Sequence, residues 1–133
     1  MIDIENEIFT ILSNMLRQEF PNITTSQIYE RTPASFPFVH IEEQDNYESV
    51  DHMSNCTDNP SNVMYEINIY SNKRSGKKAE CKKILSLIDT KMREMGFRRM
   101  SKRSLPNIKD ATIYRMVARY VAIVDSTRTI YRG

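Results

Sequence analysis

Residues Thr112 to Asp125 alternate without a break, and this run constrains the fold more than any other part of the chain. Tyr114, Met116, Ala118, Tyr120, Ala122 and Val124 fall on one side of an extended strand and carry no charge. Ile113, Arg115, Val117, Arg119, Val121 and Ile123 fall on the other. Successive side chains of a strand point to opposite faces, so the even-numbered set predicts a core face. The odd-numbered set is amphipathic in its own right. One small domain need not satisfy it, which makes it a candidate partner surface.

Two helical patterns offer cover for the core face. From about Asp3 to Phe20, the residues Ile4, Ile8, Ile11, Leu12, Met15, Leu16 and Phe20 recur at helical spacing. Asp3 predicts an N-cap, Glu5 and Glu7 suit the positive end of the helix dipole, and Pro21 stops the helix. The second pattern runs from about Lys77 to Met95 with Cys81, Ile84, Leu85, Ile88, Met92 and Met95 as its stripe. Gly96 fits the left-handed residue that ends many helices.

The remaining segments read as strands and turns. A short strand is predicted over Ser26 to Arg31 and another over Phe38 to Glu42, with Asn46 to Val50 extending it or pairing back. Val63 to Ser71 alternates clearly, with Val63, Tyr65, Ile67 and Ile69 on one side. Phe97 to Arg103 reads as a basic strand, and Leu105-Pro106-Asn107 as a turn. Asp51 to Asn62 is a polar loop containing Asn59-Pro60, and Asp45 to Asn62 is expected to be mobile in a free subunit and ordered in an assembly. The order helix, two or three strands, helix, two strands lacks the alternation of a doubly wound parallel sheet. The expected fold is α+β over residues 1–133 as one domain. Its mostly antiparallel sheet has four to five strands, with both helices packed on one face.

Composition narrows the class. In 133 residues, 40% are hydrophobic and 27% charged, enough for a core but with no run of membrane-spanning length. The acidic opening Met1 to Glu7 does not read as a signal peptide, and two cysteines make no disulfide framework. A soluble, intracellular chain is expected.

Catalytic patterns are not apparent. Asn72-Lys73-Arg74-Ser75-Gly76-Lys77-Lys78 lacks the glycine spacing and the following Ser or Thr of a phosphate loop. His40 and His52 do not sit in zinc spacing, and Cys56 and Cys81 are no Cys-x-x-Cys pair, although His52 and Cys56 share the long loop. Cys81 reads as a small core residue. The acidic run Glu42, Glu43, Asp45, Glu48 fits the solvated face of an edge strand better than a cation site. No enzymatic activity, metal or cofactor is expected.

Charge is divided unevenly along the chain. Residues 1–71 hold two basic against twelve acidic side chains, a net −10; residues 72–133 hold seventeen basic against five acidic, a net +12. Such a split points to an acidic partner or to a copy of the same chain. The candidate interface residues are Glu42, Glu43, Asp45 and Glu48 on the acidic side, with Lys77, Lys78, Lys82, Lys83, Arg115 and Arg119 on the basic side. The alternative is a nucleic-acid-binding module in which Lys73 to Lys83 and Arg98, Arg99, Lys102 and Arg103 contact phosphates.

Four segments carry a family resemblance. They are Ile2-Asp3-Ile4-Glu5-Asn6-Glu7-Ile8-Phe9 and Ser35-Phe36-Pro37-Phe38-Val39-His40-Ile41-Glu42-Glu43, then Met64-Tyr65-Glu66-Ile67-Asn68-Ile69-Tyr70-Ser71-Asn72-Lys73 running on to Gly96-Phe97. The fourth is Asp110-Ala111-Thr112-Ile113-Tyr114-Arg115-Met116-Val117-Ala118-Arg119-Tyr120, with the ending Thr129-Ile130-Tyr131-Arg132. Together they resemble the tail terminator, or tail completion, type of minor tail protein of long-tailed phages and prophages. Neighbouring neck proteins share the size and architecture. The resemblance implies a small α+β subunit that closes into a homo-oligomeric ring, usually a hexamer. It also implies that the ring caps the tail tube, docks to the head connector, and belongs to a virion tail assembled in the host bacterial cytoplasm. The implied partners are copies of itself, the major tail tube protein and the head connector. Neither a membrane nor an active site is implied.

Overall fold

In the computed structural model, residues 3–28, 33, 35–48, 60–106, 113–125 and 130 are described. Helix α1 spans Glu5–Glu19. Ile4 takes the cap position without a side-chain cap bond, while Asp3, one residue earlier, accepts the Glu5 N–H at 3.0 Å. The carboxylate thus serves the first turn as predicted, but from outside the cap. Ile8, Leu12 and Leu16 are buried, whereas Ile11, counted in the predicted stripe, is exposed. Helix α2 spans Lys77–Met95, as its periodicity predicts. Gly96 at φ 102° is left-handed, and the Gly96 and Phe97 N–H groups donate to the carbonyls of Arg93 and Met92.

The strands are β1 (Thr24–Ser26), β2 (Phe38–Glu48), β3 (Ser61–Ser71), β4 (Arg98–Pro106) and β5 (Tyr114–Val124). β1 and β4 depart from the sequence expectation, and β2 takes one of the two courses left open for it. β1 lies earlier than the predicted Ser26 to Arg31, because its place is set by parallel pairing of Thr24–Ser26 with Phe38–His40; residues 29–32 lie outside the described set. β2 is one strand through Glu48, so the segment after Asn46 extends it rather than pairing back, with a bulge between Glu43 and Asp45 that takes up Gln44. β4 runs through Leu105 and Pro106, where a turn is predicted; at the end of an edge strand proline removes no needed ladder bond. The predicted loop ends Asp45 to Glu48 and Ser61 to Asn62 are paired strand, and 49–59 lie outside the described residues.

The sheet order is β1-β2-β3-β5-β4, antiparallel except for β1 with β2. The architecture is therefore α+β, with two helices and a five-stranded sheet among the described residues. Helix α1 packs on β2 and on α2, and α2 packs on β3, β5 and β4. Between helices and sheet lie Leu12, Leu16, Val39, Ile41, Tyr65, Ile67, Ile84, Ile88, Met92, Met116 and Tyr120, all fully buried. Each such large apolar side chain contributes about 1.5–3 kcal/mol of burial. Cys81 belongs to this cluster, and burial raises its thiol to about 12, as a core residue requires.

Candidate functional site

Both helices occupy one side of the sheet, so among the described residues strand side chains make up most of the other side. Its rows follow from register: Phe38–Tyr70–Arg115, His40–Asn68–Val117 and Glu42–Glu66–Arg119. Phe38, Tyr70 and Ile113 form a second small apolar cluster there, with Phe36 packed against it. Arg115 stands over the Tyr70 ring at 5.7 Å.

A polar network crosses this face at Asn68, which is fully buried. Arg115 donates two hydrogen bonds to Asn68 Oδ1, at 3.0 Å from Nε and 2.7 Å from Nη2. Those bonds fix the amide orientation, so Asn68 Nδ2 is the donor toward His40 Nδ1 at 3.0 Å. Nδ1 then accepts, and the proton of neutral His40 sits on Nε2, 3.4 Å from Glu42 Oε1. Burial holds the His40 imidazole below its ordinary value, against the raising influence of Glu42 and Glu66. Asn68 Nδ2 also donates to Glu66 Oε1 at 3.1 Å, and Arg119 Nε donates to Glu66 Oε2 at 3.3 Å.

A second cluster ties α2 to the sheet on the helix side. Tyr120 Oη and Arg99 Nη1 donate to Asp89 Oδ1 at 2.9 and 3.2 Å, and Arg93 Nε donates to Asp89 Oδ2 at 2.8 Å. Burial alone raises the Asp89 carboxyl, but the hydrogen bonds from Arg93 and Tyr120 and the charge of Arg99 hold it below its ordinary value.

The sequence-predicted interface residues do not converge. Glu42 and Glu43 are half-buried and Asp45 is exposed, all on β2; Glu48 closes the same strand. Lys78, Lys82 and Lys83 are exposed on α2 and Lys77 is half-buried at its start. Arg115 and Arg119 lie on the helix-free face, bonded to Asn68 and Glu66 within the chain. Acidic β2, with α1 packed on it, stands toward one edge of the sheet and basic β4 forms the opposite edge, while basic α2 lies over β3 and β5 between them and reaches β4. Burial raises the Glu43 carboxyl above its ordinary value, the hydrogen bond from Asn46 opposes the shift, and the charges of Glu5, Asp3 and Asp45 add to it.

Sequence reasoning missed the His40–Asn68–Arg115 network. Its members stand 28 and 47 positions apart, so only the register brings them together. Among the described residues, no group of three or more His, Cys, Asp or Glu is placed to hold a metal ion, and no helix is long and apolar enough to cross a membrane. His52 and Cys56 lie outside the described residues. Comparison of the chain with protein-family models and with curated proteins returns no match.

Proposed function

We propose that this chain is a structural assembly subunit, a ring-forming tail terminator that caps a phage tail tube and joins it to the head connector. The observation that carries the reading is the distribution of charge across the sheet. An acidic edge at β2, with α1 on it, and a basic edge at β4 suit a head-to-tail contact between copies. Such a heterologous contact closes into a ring when its rotation permits. The helix-free face, half-buried at Val121 and Ile123, supplies further surface for a neighbour or the tube. The resemblance of the four quoted segments supports the same function. Mass in solution together with negative-stain microscopy tests it: rings or ring-sized particles are expected, with or without tail tubes as template. Monomers that neither form rings nor attach to tube ends would rule the reading out.

A second reading rests on the exposure of Lys78, Lys82, Lys83 and Arg98. This basic side suits phosphate contacts, as in a nucleic-acid-binding module. That reading expects retention on DNA at low salt and steep release as salt rises.

A further inference from the structure

The two edges of the sheet are complementary in direction, level and charge. β1 covers only Phe38–His40, so among the described residues no strand pairs the outer edge of β2 from Ile41 to Glu48. β4 forms the opposite edge. The antiparallel steps from β2 to β3, β5 and β4 leave β2 and β4 antiparallel to each other. Register also fixes their relative level. One row runs Arg99–Tyr120–Tyr65–Glu43, and the next Arg98–Val121–Met64–Asp45. An arginine therefore ends each row at β4 and a carboxylate ends it at β2. Two of the large apolar side chains that stand exposed, Met100 and Tyr47, lie on these same two strands.

We propose that a second copy of this chain adds its β4 to the open edge of β2, antiparallel and without stagger, so that the sheet continues from subunit to subunit. This interface rests on the ring reading above and names the surface that would build the ring. In it Arg98 faces Asp45 of the next copy and Arg99 joins the row of Glu43. Pairing runs over Arg98–Lys102 and stops where β1 occupies the edge. The Glu43 N–H on this edge is already held by the Glu5 carboxylate at 2.8 Å. A carbonyl of the incoming strand takes that N–H, and Glu5 turns to the arriving Arg99, which it shares with Asp89 of the incoming chain. A capped edge of this kind keeps a free subunit from pairing indiscriminately. Main-chain bonds set the geometry, while the charges select the partner edge and speed encounter.

The test joins a cross-link to a charge swap. Facing residues of an antiparallel pair have Cα atoms about 4.5–5.5 Å apart, within disulfide reach. In a Cys56→Ser background, Asp45→Cys with Arg98→Cys in one chain should give, on mild oxidation, a ladder of covalent oligomers. Either substitution alone should give no ladder. Asp45→Arg or Arg98→Glu alone should slow assembly by about tenfold, and the two together should restore it. Sedimentation velocity of the unmodified chain is run beside both, with and without tail tubes. Oligomers that neither cross-link at this pair nor respond to the swap would overturn the edge contact and leave the ring reading standing. Monomers under every condition would overturn both.

Discussion

Tyr120 donates its hydroxyl to Asp89 at 2.9 Å and so links the strand β5 to helix α2, whereas Tyr65, its neighbour in the same row, buries a hydroxyl with no partner among the described residues. Two tyrosines of equal burial thus carry opposite consequences. Burial pushes both phenols well above their ordinary range, so neither ionises at neutral pH. Tyr120→Phe should cost about 1.5–3 kcal/mol, the worth of a hydrogen bond to a charged group. Tyr65→Phe should be neutral or stabilising, because it removes an unsatisfied buried group and keeps the ring packed on Phe97. Urea unfolding of the two variants checks this, and equal losses would contradict it.

His40 should give the fold an acid-sensitive limb. Protonating it would set an Nδ1–H against the Asn68 amide, whose other atom is committed to Arg115. Folded His40 takes up a proton less readily than unfolded His40. As pH falls below about 6.5, the unfolded chain therefore gains the proton first, and stability drops until the folded value is passed. Unfolding free energies measured from about pH 7.5 to 5 should decline over this window and flatten in His40→Gln. An identical decline in the variant would assign the limb to other groups.

Legibility of the fold in the sequence followed how local each signal was. α2 was readable to its ends because its stripe is strictly periodic and Gly96 sits where a left-handed residue is needed. The even-numbered face of β5 was readable because its alternation is unbroken. β1 was misplaced because three residues of parallel strand are chosen by a distant partner, not by their own propensity. The course of β2 past Glu42 was open in the sequence because the bulge at Gln44 shifts its alternation by one residue: Glu43 stays on the helix side with Tyr65, and Asp45 turns away with Met64. Of the candidate interface, the charge division was visible in the chain. The internal use of Arg115 and Arg119 was not, since both depend on cross-strand register.

Salt and charge reversal should separate self-assembly from nucleic-acid binding. Exposed ion pairs give only about 0–1 kcal/mol each, so charge should steer association more than hold it. At roughly 1 M salt the Debye length falls to about 3 Å, and assembly should slow while finished rings persist. Lys77→Glu, Lys78→Glu, Lys82→Glu and Lys83→Glu combined should slow assembly as measured by light scattering. Unchanged assembly together with lost DNA retention would favour the nucleic-acid module instead.

The most direct measurement is on growing tail tubes. Tube protein polymerised in the presence of this chain, gold-labelled and viewed by negative stain, should give tubes that stop elongating and carry one label at one end. Tubes of unaltered length, or label scattered along their walls, would contradict a terminator.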